Sequence, residues 1–280
     1  MLKARDTYRI CHLLLIAQII INLCIVAIHM QSIHSRNIYI TLMLLLVVRL
    51  LVNLDSESEV PYDHSYFLYS SVLSALRNTN PGLASDIHNN PHFPRYCMSQ
   101  LLPGGKREFS KTGIIADRFI FLISSLEAEI LDKIKHGLEL QGHIILGSNI
   151  LLIHSITLET TRISSGIINM ISRSPIVLKH QGKYVTSKDD IFLSVLQANI
   201  ISKYAKVKGT IPKIQFMRIT NSKSKLSNLK GTSIPSSIIS FTISADYDLL
   251  DFIQNTGIGS KTQIGFGFIE EQKGGVDYDF

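Results

Sequence analysis

The chain has 280 residues, 45% of them hydrophobic, enough to bury a core in one large or two ordinary domains. A formal net charge of +6 favours polyanionic partners. Its three cysteines, Cys11, Cys24 and Cys97, lie far apart without paired spacing, which argues against a disulfide framework or a cysteine zinc site and fits a reducing compartment.

The amino terminus opens with an almost wholly apolar run at 13–28 behind Lys3, Arg5 and Arg9, and a second run covers 38–54. Hydropathy alone makes this a signal or a membrane anchor. The first run is short for a spanning helix and contains Gln18 and Asn22, and no small-residue cleavage pattern follows it. The other reading is a start assigned too far upstream, with Met43 or Val48 as the true first residue. Residues 1–47 thus stand as an apolar extension, either a misassigned start or a membrane segment. A cytoplasmic protein is expected, with membrane association through 13–28 as the alternative.

From residue 49 the pattern predicts a strand at 49–54, then a helix capped by Asp63 that buries Leu68, Val72, Ala75 and Leu76. Asn80 is expected to cap a short further helix with Pro81 at its first position. Strands follow at 95–102 and 118–123. Ser124 and Glu127 read as a capping box for a helix burying Ile130, Leu131, Ile134 and Leu138, and 144–158 as a hairpin turning at Gly147-Ser148-Asn149. A polar stretch at 162–166 marks the boundary, giving domains at 48–163 and 164–280.

The second half repeats the order. A strand at 167–179 precedes a helix capped by Ser187 and Asp190, carrying Phe192, Leu196 and Ile200. Strands at 214–220 and 237–244 lead to a helix after Asp246 and a final glycine-rich strand. Two strand-helix-strand-strand-helix-strand units imply an α+β chain of tandem ferredoxin-like (RRM-like) domains, a frequent RNA-binding platform.

In that last segment, Gly257, Gly259, Ser260 and Lys261 form a turn before Ile264, Phe266 and Phe268. The helix-turn-strand order, and Ser260 between Gly259 and Lys261, exclude a P-loop. Alternation predicts that Ile264, Phe266 and Phe268 point to the core, leaving Gly265 and Gly267 on the other face, open to a sugar-phosphate chain. The bland reading is a tight turn with a bulge. Lys203, Lys206, Lys208, Lys213, Arg218, Lys223, Lys225 and Lys230 occupy a stretch without an acidic residue, suited to phosphate neutralisation. Lys106 and Arg107, behind Gly104-Gly105, make a smaller basic point.

No acid pair has a spacing suited to two-metal hydrolysis, and Asp189, Asp190 and Asp246 read as helix caps, so cofactor-free and metal-free chemistry is expected. RNA supplies its own nucleophile, the 2′-hydroxyl; one histidine and one cation can do much of the rest. Among ten histidines, His88 stands at the carboxyl end of the short helix, where the dipole favours imidazolium. His92 and Arg95 follow within reach. Plain helix capping is the structural alternative for His88.

Val60-Pro61-Tyr62-Asp63-His64, Asn80-Pro81, Leu83-Ala84, His88, Lys106-Arg107-Glu108 and Gly265-Phe266-Gly267 together resemble the sixth CRISPR-associated protein family. The resemblance covers nearly everything from Arg49 to Glu271 and leaves the apolar extension unmatched. It implies the repeat-associated mysterious protein (RAMP) superfamily, tandem ferredoxin-like domains, and metal-independent cleavage of precursor CRISPR RNA within its repeats, leaving 2′,3′-cyclic phosphate and 5′-hydroxyl ends. It places His88 at the general acid or base position and Arg95 near the family's catalytic lysine. Where relatives carry a catalytic tyrosine this chain has Leu73, and Tyr69, or Tyr66 a turn earlier, is the phenol expected to substitute. Repeat RNA is the implied partner, with no DNA required; other CRISPR-associated proteins and a homodimer are allowed. A non-catalytic RNA-holding subunit and a membrane-anchored protein with a basic face are the competing readings.

Overall fold

The computed structural model describes residues 46–56, 58–90, 95–162 and 166–272. The apolar run at 13–28, His92 and the centre of the expected boundary, 163–165, lie outside the described residues.

The first half contains β1 (Leu46–Asp55), β2 (Val60–Pro61), α1 (Ser65–Thr79), α2 (Pro81–Asn89), β3 (Cys97–Met98), β4 (Leu102–Phe109), β5 (Gly113–Ser124), α3 (Ala128–Gln141), β6 (His143–Leu146) and β7 (Asn149–Arg162). β1 lies antiparallel between β5 and β7, and β4 pairs with β5, giving the order β7-β1-β5-β4 of a split βαβ unit. Alternate residues Leu50, Val52 and Leu54 of β1 are fully buried under the helices, together with Leu68, Val72, Ala75 and Leu76 of α1 and Ile130, Leu131, Ile134 and Leu138 of α3. Gly137 makes the α1–α3 crossing feasible: a Cβ there would sit 2.2 Å from the Ala75 carbonyl oxygen.

The second half contains β8 (Ile167–Ser172), β9 (Leu178–His180), β10 (Lys183–Val185), α4 (Phe192–Lys208), β11 (Ile214–Leu229), β12 (Thr232–Ala245), α5 (Tyr247–Thr256) and β13 (Ile269–Glu271). Its sheet order, β11-β12-β8-β13, repeats the first arrangement, so the tandem ferredoxin-like α+β fold expected from the pattern is the one observed. Leu196, Ile200, Phe241, Ile243, Leu249 and Phe252 fill its core.

Several local expectations change. Asn80 caps α2 as anticipated, accepting the Leu83 N–H at 3.0 Å. Asp63 does not cap α1; the position belongs to His64, which makes no side-chain cap. Ser124 forms no capping box, because its hydroxyl donates to the Gln254 carbonyl of the other half at 3.0 Å, and Ser125 accepts the Glu127 N–H instead. Ser187 does not cap α4 either: its N–H donates to Ser237 Oγ, while Asp189 accepts the Thr186 N–H. The strand expected at 95–102 shrinks to β3 because Ser99 Oγ takes the Leu122 N–H and interrupts the ladder. β8 stops at Ser172, well short of 179. Conversely β11 runs to Leu229, since β12 gives every polar residue in 221–229 a ladder partner.

The halves dock through Cys97, Leu122 and Phe268 with Leu51 alongside. Phe268 is fully buried, a contribution of about 2–3 kcal/mol.

Candidate functional site

α2 is short but well held. Asn80 closes its start, Ala84 and Ile87 are buried, and the last turn leaves His88 exposed. Among the described residues nothing hydrogen-bonds to the His88 ring, so both nitrogens face outward unspent. Arg95 forms a bridge: Nη2 lies 2.9 Å from Asp86 Oδ2 on α2 and Nη1 lies 3.0 Å from Glu127 Oε1 at the start of α3. Those carboxylates raise its pKa against the opposing effect of burial. The guanidinium is thus held in place next to α2, with part of its charge already compensated.

The aromatic stripe of α1 behaves differently from the expectation. Tyr69 is 7% exposed and belongs to the amino-terminal core, as does Leu73. Burial and the neighbouring Tyr66 push the Tyr69 phenol up, which disfavours proton loss. The stripe that was expected to present a phenol to the site packs most of the Tyr69 ring into the core. Tyr66, one turn earlier, is half-buried with its ring 6.3 Å from that of Tyr69.

His64 has a structural task. Nδ1 donates to the Pro61 carbonyl at 2.7 Å and Nε2 accepts the Leu101 N–H at 3.1 Å, which fixes the tautomer. Burial lowers its pKa to about 4. A neutral imidazole therefore joins the start of α1 to the β3–β4 connection.

The glycine segment is also corrected. Residues 265–268 are not strand; a 3-10 turn at Thr262–Ile264 precedes them, and pairing resumes only in β13. Gly257, Gly259, Gly265 and Gly267 are all buried with φ between +64° and +83°. A Cβ on Gly267 would lie 1.8 Å from the Ile258 carbonyl oxygen, and one on Gly257 would lie 2.5 Å from Cys97 Sγ. The amides are spent internally: Ile258 donates to Gly267, Gly267 to Pro175, Ser260 to Val177, and Gly259 to Asn199 Oδ1. The glycines exist because two stretches of this chain cross at van der Waals distance, and an open approach for a nucleic-acid backbone along Gly265 and Gly267 is not what they provide. Of this segment only Lys261, itself left-handed at φ +65°, is exposed; Ser260 is half-buried.

Lys203, counted with the basic stretch in sequence, leaves it in three dimensions. Its Nζ donates to the carbonyls of Thr256 (3.1 Å) and Gly257 (2.8 Å) and so satisfies the end of α5. Burial lowers its pKa to about 8. Arg49, at the head of the strand expected at 49–54, is 4% exposed and lies 5.1 Å from the centroid of the Phe268 ring. A lone arginine inside an otherwise apolar strand was the signal available for it.

The remaining basic residues do form a surface. Lys213, Arg218, Lys223, Lys225 and Lys230 are all exposed along the β11–β12 hairpin. Its tip bends onto the first half, where Lys230 Nζ sits 3.7 Å from the centroid of Tyr66. Below it, Leu229 and Ile234 pack with Val177 and Phe266, with Tyr66, Tyr184 and Ile264 at the rim. The hairpin, α1 and the glycine turn therefore meet in one small cluster. Crowding by protein, then Lys223, lowers the pKa of Lys225. Lys106 and Arg107 are exposed on β4, Arg107 lying 5.8 Å from the Phe109 ring, so they mark a separate basic point on the first sheet. Among the described residues no cluster of three His, Cys, Asp or Glu is arranged to hold a metal, and no helix is long and apolar enough to cross a membrane.

Two ferredoxin-like sheets docked at a buried glycine turn, with a basic hairpin folded across their junction, define a tandem ferredoxin-like scaffold. Sequence models described as "CRISPR-associated protein Cas6, N-terminal" and "CRISPR associated protein Cas6, C-terminal" match residues 59–157 and 158–271. The chain belongs to the Cas6 family of CRISPR-associated proteins. It is 27% identical over 241 residues to an endoribonuclease-like Cas6 protein of Pyrococcus furiosus, covering 79% of this chain and 98% of that one. It is 26% identical to CRISPR-associated endoribonuclease Cas6 1 of Methanocaldococcus jannaschii, covering 79% and 91% respectively. A solved Cas6-related protein from Pyrococcus furiosus shares the fold with a TM-score of 0.73 at 23% identity, covering 82% of this chain and all of that one. A RAMP protein described as binding different RNA substrates gives 0.73 at 22% identity, covering 81% and 100%.

Proposed function

We propose that the protein is a CRISPR repeat endoribonuclease: it binds precursor CRISPR RNA and cuts within the repeat without a metal. The reading rests chiefly on the match of Cas6 models to 59–157 and 158–271, together with a solvent-facing His88 at the end of α2. The 2′-oxygen attacks the adjacent phosphorus and loses its proton, the bond to the 5′-oxygen breaks, and that oxygen takes up a proton. The products are a 2′,3′-cyclic phosphate and a 5′-hydroxyl. His88 moves one of those protons. Arg95, held on α2 by Asp86 and on α3 by Glu127, contributes positive charge toward the phosphorane rather than a proton, because a guanidinium does not deprotonate. Lys213, Arg218, Lys223, Lys225, Lys230 and Lys261 neutralise phosphates, with Lys106 and Arg107 as an outlying contact. The work is cytoplasmic, alongside the transcript.

Incubating repeat RNA with wild type and His88→Ala in excess chelator tests this. Loss of cutting with retained binding supports the assignment; equal cutting by both removes His88 from the mechanism.

A second reading, a repeat-binding subunit that does not cut, is favoured by specific observations: Leu73 and Tyr69 are buried where a phenol was expected, Arg95 is already ion-paired, and one relative is named endoribonuclease-like. Tight repeat binding without cleavage under any condition would select it.

A further inference from the structure

β9 and β10 form a ribbon that the sequence does not single out. Lys179 and Tyr184 face each other across it, with the Lys179 Nζ 4.5 Å from the ring centroid. Its turn, Gln181 (φ 49°) and Gly182 (φ 81°), has the same left-handed pair as Lys230 (φ 53°) and Gly231 (φ 75°) at the hairpin tip. The ribbon is rooted on both neighbours: Ile176 bridges to Ser237 of β12 and Val177 to Ser260 of the glycine turn.

The two lysine–tyrosine pairs are equivalent in a further respect. Tyr184 and Tyr66 both lie against the cluster of Val177, Leu229, Ile234 and Phe266, so Lys179 and Lys230 are presented over rings at the rim of one apolar seat. Neither ammonium pairs with a carboxylate among the described residues. Cation–π contact restrains the flexible stems while leaving the charge uncompensated and the N–H donors available. Lys230 also occupies a left-handed position that glycine or asparagine would fill with less strain.

We propose that Lys179 and Lys230 form a two-sided clamp for successive phosphates of single-stranded RNA, with the β9–β10 ribbon as one wall and the β11–β12 tip as the other. This rests on the RNA-binding part of the function proposed above and adds a wall that the basic stretch in sequence omits.

The test is the salt dependence of binding of labelled repeat RNA to the full chain, for wild type, Lys179→Ala, Lys230→Ala and the double variant. Lys135→Ala, on the outer face of α3 where Lys135 pairs with Glu139, is the control. Each single change is expected to weaken binding several-fold and to flatten the log–log salt slope by about 0.7, the double by about twice that, with the control unchanged. Lys179→Arg should retain the slope, which separates lost charge from lost folding. A Lys179→Ala slope equal to wild type overturns the clamp. If wild type ignores the repeat but binds polyuridylate with a Lys179-dependent slope, the clamp stands and the repeat-nuclease reading falls; binding to neither overturns both. Lys179-dependent binding to phosphatidylserine vesicles with RNA binding unchanged in the variant also overturns it.

Discussion

Arg49 Nη2, on the first strand of the first sheet, donates to the carbonyl oxygen of Ile269 on the last strand of the second at 3.1 Å. The same side chain reaches Gln254 Oε1 at 3.4 Å and Glu270 Oε2 at 3.6 Å. Burial lowers its pKa while Glu270 opposes that shift. Removing the guanidinium leaves Gln254 and the Ile269 carbonyl without that donor, while Glu270 keeps its pairing with Arg173. Arg49→Ala should lose about 2–4 kcal/mol of stability through lost packing and buried hydrogen bonds, read from urea unfolding. Arg49→Met, which refills the space and leaves Glu270 to Arg173, should recover part of the loss; an unchanged midpoint in Arg49→Ala would refute the linking role.

Glycine substitutions should fall into two groups. Gly267→Ala puts a Cβ against Ile258 as well as forcing φ +64°, so a loss above about 3 kcal/mol is expected. Gly209, which ends α4 at φ +73° with nothing within 4 Å of an added Cβ, should cost only about 1–2 kcal/mol as alanine. Thermal unfolding of the two variants compares them directly; equal losses would mean that the crossing at Ile258 is not tight.

His64 gives a pH dependence with a defined sign. The unfolded chain binds a proton near pH 6.5, the buried imidazole only near 4, so this contribution is complete above 6.5 and lost as pH falls through 4. The difference is on the order of 3 kcal/mol. Asp251 acts oppositely: burial raises its carboxyl to about 6 from 3.8, and its contribution is lost as pH rises through that range. His64→Gln deletes the first effect and keeps the second. Urea midpoints at about pH 4.5, 5.5 and 6.5 should therefore change little in wild type, where the two effects offset, and rise as pH falls in the variant; parallel curves would contradict the assignment.

His88 and Arg95 should separate kinetically. His88→Ala is expected to slow single-turnover cleavage by about 10²-fold or more with little change in RNA affinity. Arg95→Ala should cost less, since Asp86 and Glu127 already share its charge, and should lower stability by about 1 kcal/mol because these ion pairs are partly exposed. A larger kinetic loss for Arg95→Ala than for His88→Ala would reverse the roles.

The fold was readable because its periodic elements are strong. Leu68, Val72 and Leu76 mark α1, and Ile130, Ile134 and Leu138 mark α3, in sequence as in the structure. What failed was local capping chemistry: Ser124 and Ser187 fit the helix-start pattern, yet tertiary partners at Gln254 and Ser237 claim their groups. The glycine segment misled for a related reason. Alternation of Ile264, Phe266 and Phe268 mimics a strand, whereas four positive-φ glycines give the chain a path without strand geometry. In the site, the exposure of His88 followed from its place on α2, but the inward turn of Tyr69 depends on how α1 meets the sheet. Lys179 escaped notice because its significance comes from Tyr184 across a ribbon and Lys230 across a junction.

The close passage of Gly267 past Ile258 separates two kinds of information in this chain. Solvent-facing side chains on the hairpin can be exchanged one at a time without meeting a packed neighbour. The crossing tolerates no such exchange, since any larger residue on Gly267 collides with the Ile258 carbonyl. A glycine signature at this spacing therefore reports how the chain threads past itself.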